Sequence, residues 1–393
     1  MVSVKERTVK GTKYLYVSCS TSYKGRKIRF EKSLGPSSKV KDNLRLIEFH
    51  STIIRMKCSI YRAYLEAKTS EFEHLPQFYA FYLAMIRQGY HNYLEDLYPD
   101  ELEKYQDEFD TRYVHNTNAI EGNTLTLRET ALVLGDGIAP KGKMLREIHE
   151  VENYQRLLRF VRSYDRDISM DFILKQHELI QRNIDDENGG KLRRIPVHIK
   201  GADWEPPPAL LVKDELKDLI EWYVDNRDDI HPFELAGIFH HRFVQIHPFV
   251  DGNGRVAREL LNFILRKNDY PPLIVPVSER QEYMDCLEKA DGGDPEPLIE
   301  FFAIQIIQDY MKVIFSYKDH ISRELGRITP EEGMELAGMM LWFATLIREF
   351  QKDVPDRAQE KLGSVLRELI LSDVGKMKEM GLITENSGAD VRD

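Results

Sequence analysis

The sequence predicts a mainly α-helical protein with two short β excursions, and three observations carry that expectation. Apolar residues recur at spacings of three and four in stretches such as RLIEFHSTIIRMKCSIYRAYLEAK and FYAFYLAMIRQGYHNYLEDL, the period of one helix face. Strand-like patterning is confined to the first forty residues and to IPVHIKG at 195–201. The longest apolar run, LAGMMLWFATLI from Leu336 to Ile347, has twelve residues. A membrane span needs about 20, so this run reads as a buried helix.

Taken in order, KYLYVSCS (13–20) is rich in β-formers and KIRFEK (27–32) alternates polar and apolar residues, with Gly25 in the turn between them. LGPSS then reads as a linker. These residues make a basic β-rich unit over 1–38. Residues 39–105 are predicted as a helical region, and Asp100 with Leu102, Tyr105 and Phe109 begins a third helix. The chemistry concentrates in 106–315, and 316–393 reads as a helical C-terminal region whose last ten residues fray. Residues 1–45 hold twelve Lys or Arg against three Asp or Glu, a balance of +9, leaving −19 for the rest of a 393-residue chain of net charge −10. An acidic body argues against nucleic-acid binding over the whole surface, while the basic head leaves that partner open. Cys19, Cys58 and Cys286 form no C-x-x-C pair and are expected to be reduced and structural. MVSVKERTVKGTKYLYVS lacks a signal-peptide apolar stretch, so a soluble cytoplasmic protein is expected, with no membrane partner.

The dodecapeptide HPFVDGNGRVAR (247–258) stands between two helical patterns, FELAGIFHHRFVQI and VARELLNFILRK. It is therefore a loop feeding a helix N-terminus, and its glycines let successive backbone amides converge into an anion nest. Arg255 and Arg258 lie three apart and project from one face, a pair suited to a polyphosphate. Asp251 at the mouth would repel phosphates unless a divalent cation such as Mg2+ bridged them. His247 supplies an imidazole able to accept a proton near neutral pH. Base, metal and cradle together describe phosphoryl or nucleotidyl transfer.

Upstream, TNAIEGN (117–123) reads as a short helix ended by Gly122, with Glu121 as a surface acid before the C-cap. GGKLRRIPVHIKGADWEPPPAL (189–210) combines a basic turn, a β-like piece and three consecutive prolines that forbid helix. It suits an ordinary surface hairpin as well as a functional one, and His198 within it is taken as incidental. His231, His240 and His241 lack the H-E-x-x-H spacing, and the adjacent pair points in different directions from a helix, so one of them is expected in the core. No G-x-x-x-x-G-K-[ST] is present, which excludes a P-loop kinase.

HPFVDGNGRVAR resembles, without a gap, the signature H-P-F-x-[DE]-G-N-G-R-x-x-R of the Fic (Fido) family, and the similarity runs over roughly residues 106 to 310. The resemblance implies a Fic-type helical core with a small β-hairpin flap, and a protein adenylyltransferase that moves AMP from ATP to a Ser, Thr or Tyr hydroxyl of a target protein. By the same resemblance His247 would be the base and Asp251 would hold magnesium. The backbone of Gly252, Asn253 and Gly254 would bind the α- and β-phosphates, with Arg255, Val256 and Ala257 following and Arg258 on the γ-phosphate. TNAIEGN looks like the family's inhibitory motif [ST]-x-x-x-E-[GN], so Glu121 would pair with Arg258 and unseat ATP. In some relatives that glutamate positions water to remove AMP. Residues 189–210 resemble the flap, placing Ile199, Lys200 and Gly201 near the nucleotide, and Tyr283 matches an aromatic at the base or ribose. Asp291 departs from the asparagine of many relatives, so no contact is carried onto it. Similar proteins are frequently dimers, which adds a homodimer to the expectations. The alternative is a regulatory or DNA-binding protein built on a Fic scaffold, using the basic head or the C-terminal helices.

Overall fold

The computed structural model describes residues 2–198, 204–324 and 329–363. Three strands come first: β1 (Val2–Val9), β2 (Thr12–Tyr23) and β3 (Arg26–Pro36). Helices follow: α1 (Ser37–Val40), α2 (Leu44–Thr69), α3 (Phe78–Asp96), α4 (Pro99–Ile120), α5 (Leu127–Ala131), α6 (Leu145–Ser163), α7 (Met170–Gln181), α8 (Val212–Asn226), α9 (Pro232–Ile246), α10 (Asn253–Lys267), α11 (Arg280–Asp291), α12 (Glu296–Glu324) and α13 (Pro330–Arg348). The predicted mainly helical class with a small β-unit is what the chain forms. Two compact units divide it. No helix among the described residues is long and apolar enough to cross a membrane.

The first unit takes in residues up to Glu71, Pro76–Glu95 and the described residues from Ile307 on. Its sheet is antiparallel in the order β1-β2-β3. Lys10-Gly11 and Lys24-Gly25 both have positive φ at each position, the geometry that joins right-twisted strands through two residues. Strand β1 was absent from the sequence reading. Most of its residues are exposed, so no alternation marks it, and it is held through its pairing to β2. Val17, Cys19 and Ile28 pack against Ile54 and Cys58 of α2. LGPSS is not a linker: β3 runs through Gly35 to Pro36 and α1 starts at Ser37. Pro36 is tolerated because it ends an edge strand, where a missing N–H is harmless. Several basic residues of this unit already have acid partners, among them Lys32 with Glu335 at 2.7 Å and Arg45 with Glu332 at 2.8 Å.

The second unit comprises Phe72–Leu75 and Asp96–Ile306. At its centre α9 and α10 pack together, with α4 and α7 against α10 and α8 and α11 against α9. Every residue of α10 from Arg255 to Leu265 is buried. Its apolar side chains each contribute roughly 1.5–3 kcal/mol of burial, and its buried polar ones are partnered. Glu259 accepts from Tyr113 at 3.1 Å and Arg266 at 2.9 Å, and Asn262 exchanges bonds with the Leu273 backbone at 2.7 and 2.9 Å. In α9, Glu234 accepts three amides, from Glu73, His74 and Leu75, at 2.7 to 3.0 Å.

The helix ending at TNAIEGN is long rather than short. Pro99 opens α4, where a proline's missing amide does no harm, and Gly122 at φ 103° closes it. Helices α4 and α12 run across the borders expected at 106 and 315. The described parts of 189–210 contain no strand, and Ile199, Lys200 and Gly201 lie outside the described residues. Pro196 and Pro206–Pro208 lack amide donors, which removes ladder bonds from both arms of the expected hairpin.

Candidate functional site

The dodecapeptide turns α9 into α10. His247, at φ 49° and ψ 59°, stops α9 in the left-handed region, a conformation that non-glycine residues rarely adopt. Gly252, at φ 82°, turns the chain again to start α10. Asn253 braces the loop between them: its Oδ1 accepts the Phe249 amide and its Nδ2 donates to the Phe249 carbonyl, both at 2.9 Å. The amides of the first turn, Asn253 to Arg255, have no place in the helix ladder and carry the positive end of the dipole.

His177 of α7 supports this loop from below. Its ring stacks on Phe249 with centroids 3.7 Å apart. Nδ1 accepts the Gly190 amide at 3.1 Å, so in the neutral ring the proton sits on Nε2 and is donated to the Asp251 carbonyl at 3.0 Å. Burial favours that neutral form, with the pKa lowered to about 4.

Both motif arginines are buried, each only 2% exposed. The Arg258 Nε donates to Thr117 Oγ1 at 2.9 Å, while Nη2 donates to the Thr117 carbonyl at 2.8 Å and to Glu121 Oε1 at 2.7 Å. Burial works against the charge on Arg258, but the Glu121 carboxylate together with Tyr283 and Tyr154 outweighs it and holds the guanidinium above its usual pKa. Arg255 reaches Glu150 at 3.5 Å and Asp251 at 3.4 Å, and its buried Nε has no hydrogen-bond partner among the described residues. Asp251 Oδ2 also accepts from Arg146 at 2.8 Å. Burial opposes the Asp251 charge, but Arg255 and the Gly252 amide keep its carboxyl below the usual value.

In His247 the Nδ1 edge faces the Val244 carbonyl at 3.3 Å. A carbonyl can only accept, so Nδ1 carries the proton and Nε2 keeps the lone pair. Burial lowers the pKa of the ring, the Val244 contact opposes that, and the charge of Arg193 adds to the lowering.

Glu121 sits on the α10 N-terminus. A Cβ on Gly254 would lie 2.3 Å from its Oε1, so only glycine leaves room for the carboxylate there. The segment carrying Glu121 is tied on both sides. Arg280 Nε donates to the Ile120 carbonyl at 2.9 Å, and Asn123 Nδ2 donates to the Glu147 carbonyl at 3.0 Å and to Glu150 at 2.9 Å. Glu147 holds the next turn through the Thr124 amide and hydroxyl, both at 2.7 Å.

The structure thus brings Glu121, Asp251, Gly252, Asn253, Gly254, Arg255 and Arg258 to one helix end, with His247 at the head of the same loop. Val256 and Ala257, expected at the nucleotide, are wholly buried in the core, at 0% exposure, and the Val256 amide is already bonded to the Gly252 carbonyl at 3.1 Å. Tyr283 is also in the core, 1% exposed, its hydroxyl 2.7 Å from His240 Nε2. Asp291 engages His241 at 2.8 Å. Both histidines of that pair are buried, where one was expected. Sequence reasoning missed Thr117, Asn123, Arg146, His177 and Arg193 as site residues. Thr117 and Asn123 had one signal, their place in the TNAIEGN stretch around Glu121, with Thr117 one helical turn before it; the others carry no local signal.

A family model described as Fic/DOC family matches residues 167–265. Among curated relatives, protein adenylyltransferase fic-1 of Caenorhabditis elegans is 38% identical over 231 residues, covering 56% of this chain and 45% of that protein. Protein adenylyltransferase Fic of Nematostella vectensis is 33% identical over 197 residues, covering 49% of this chain and 46% of the relative. The chain therefore spans less than half the length of these two relatives. Among solved structures, residues 134–508 of Fic-1 from C. elegans superpose with a TM-score of 0.55 at 30% identity, covering 70% of this chain and 86% of that one. A Fic domain containing signaling protein from Bacteroides thetaiotaomicron superposes with a TM-score of 0.54 at 26% identity, covering 60% and 98%.

Proposed function

This chain belongs to the Fic/DOC family, and we propose that it is a protein adenylyltransferase that transfers AMP from ATP to a hydroxyl of a target protein while Glu121 holds it in check. The observation that carries the reading is the seating of Glu121 against Arg258 on the first turn of α10, at 2.7 Å. A carboxylate occupies the place that the dipole and the guanidinium make for an anion. A triphosphate and Glu121 compete for one arginine, and ATP seats productively only when it displaces the acid.

With Glu121 withdrawn, the first-turn amides and Arg255 cradle the phosphates, and Arg258 is free for the terminal one. The His247 Nε2 lone pair accepts the proton of the incoming alcohol. The new bond forms between that oxygen and the α-phosphorus, and pyrophosphate leaves with the electrons of the broken P–O bond. The lowered pKa keeps the imidazole unprotonated and ready at neutral pH. Asp251 fits a magnesium ligand: its side chain is 46% exposed and it lies beside the phosphate seat. One carboxylate plus phosphate oxygens is a usual magnesium donor set. The ion would neutralise charge on the phosphates when bound.

The test is incorporation of label from ATP marked at the α-phosphate, with magnesium present. Glu121→Gly is expected to raise self-labelling by about tenfold or more, equivalent to removing some 1.4 kcal/mol of competition. His247→Ala in that background is expected to abolish it. Equal labelling by the wild type and both variants would sink the reading.

A further inference from the structure

Arg193 is 3% exposed and, among the described residues, has no carboxylate partner. Its guanidinium instead donates to carbonyls on three pieces of chain. Nε reaches His247 at 2.8 Å, Nη1 reaches Ile195 at 3.2 Å, and Nη2 reaches Pro207 at 2.6 Å and Ile246 at 3.4 Å. Its own amide donates to the Pro248 carbonyl at 2.9 Å. A buried cation without a counter-ion is expensive unless it is fully solvated by fixed dipoles. Two of these carbonyls close α9, where the helix dipole favours positive charge. Trp204 adds a third bond to the same helix end, Nε1 to the Gln245 carbonyl at 3.2 Å.

Building on the proposed function, we infer that Arg193 is the positioning residue of the reaction: one planar guanidinium locks the His247 turn to the chain leaving at Ile195 and the chain returning at Pro207. His247 holds a left-handed conformation that its own φ preference does not supply. The carbonyl of that residue is the one Arg193 Nε grips, so the clamp fixes the direction in which the ring presents Nε2. Lysine cannot substitute, because a compact ammonium lacks the flat fork that reaches separated carbonyls at once.

The experiment compares Arg193→Gln and Arg193→Lys, each in the Glu121→Gly background. Hydrogen exchange is read on peptides covering 194–198, 204–210 and 246–249, and AMP transfer is expressed per ATP-binding site counted by calorimetry. Counting sites confines the comparison to folded molecules, so simple destabilisation does not lower the rate per site. Exchange in those peptides is expected to rise at least about tenfold, a free-energy change near 1.4 kcal/mol, while α10 stays protected. Transfer per site is expected to fall on the order of a hundredfold, the scale of a 1 Å misplacement, with lysine recovering little of it. Unchanged exchange, unchanged transfer per site, or full recovery by lysine would each overturn the inference. If Glu121→Gly itself transfers no AMP, the proposed function falls instead, and the exchange measurement alone decides whether the clamp exists.

Discussion

At Gly254 a single missing methyl group decides what the helix end can hold. A Cβ there would lie 2.3 Å from Glu121 Oε1 and 3.1 Å from Arg258 Nη1. Gly254→Ala therefore expels Glu121 or strains its seat, and we expect a loss of about 1–3 kcal/mol of stability, the usual range for overpacking. On the proposed mechanism the variant does not mimic Glu121→Gly, because the methyl stands where a phosphate would come. The expected result is a lower melting temperature together with AMP transfer below that of the wild type. Faster labelling than wild type would mean that the methyl disturbs only the acid.

Helix α4 delivers two groups to Arg258 from one face. Thr117 and Glu121 are four residues apart, one helical turn, so both contact the same guanidinium. The chain just past this same end of the helix is anchored through Asn123, which bonds Glu147 and Glu150 of α6 and accepts the Leu125 amide at 2.9 Å. Asn123→Ala removes these bonds while leaving every charged group of the site in place. Lost hydrogen bonds of this kind cost about 1–3 kcal/mol. The variant is expected to unfold earlier in denaturant and to self-label several-fold faster than wild type, though less than Glu121→Gly. Labelling at the wild-type rate would show that the α4 terminus holds Glu121 without help from α6.

Across the second unit, buried histidines couple its stability to pH. His240 of α9 is 0% exposed, and burial lowers its pKa to about 3 from an ordinary value of 6.5. Its folded pKa lies below the unfolded one, so the unfolded chain binds the proton first. The stability from keeping this ring neutral is whole above pH 6.5 and is lost as pH falls toward 3. The slope is about 1.4 kcal/mol per pH unit for one such group. His240→Gln is expected to flatten the dependence of the unfolding free energy between pH 6 and 5 by about one proton, as read from urea titrations. An unchanged slope would contradict the assignment.

Much of this was legible in the residues themselves. Helical periodicity marked α2, α3, α4, α9 and α10, and a His followed closely by Asp-Gly-Asn-Gly-Arg announced a loop opening into a helix N-terminus. Such features need only neighbours in the chain, and local geometry follows from φ preference and spacing. Strand β1 and the course of the described parts of 189–210 escaped, since one is an exposed edge and the other is governed by prolines and by Arg193. The assembly of the site was a tertiary matter. Arg146 meets Asp251 across 105 residues, His177 meets it across 74, Arg193 grips His247 across 54, and Glu121 pairs with Arg258 across 137. No periodicity encodes such pairings; the packing of α4, α6 and α7 around α9 and α10 makes them, because a buried charge or carbonyl must find its partner wherever the fold has brought one.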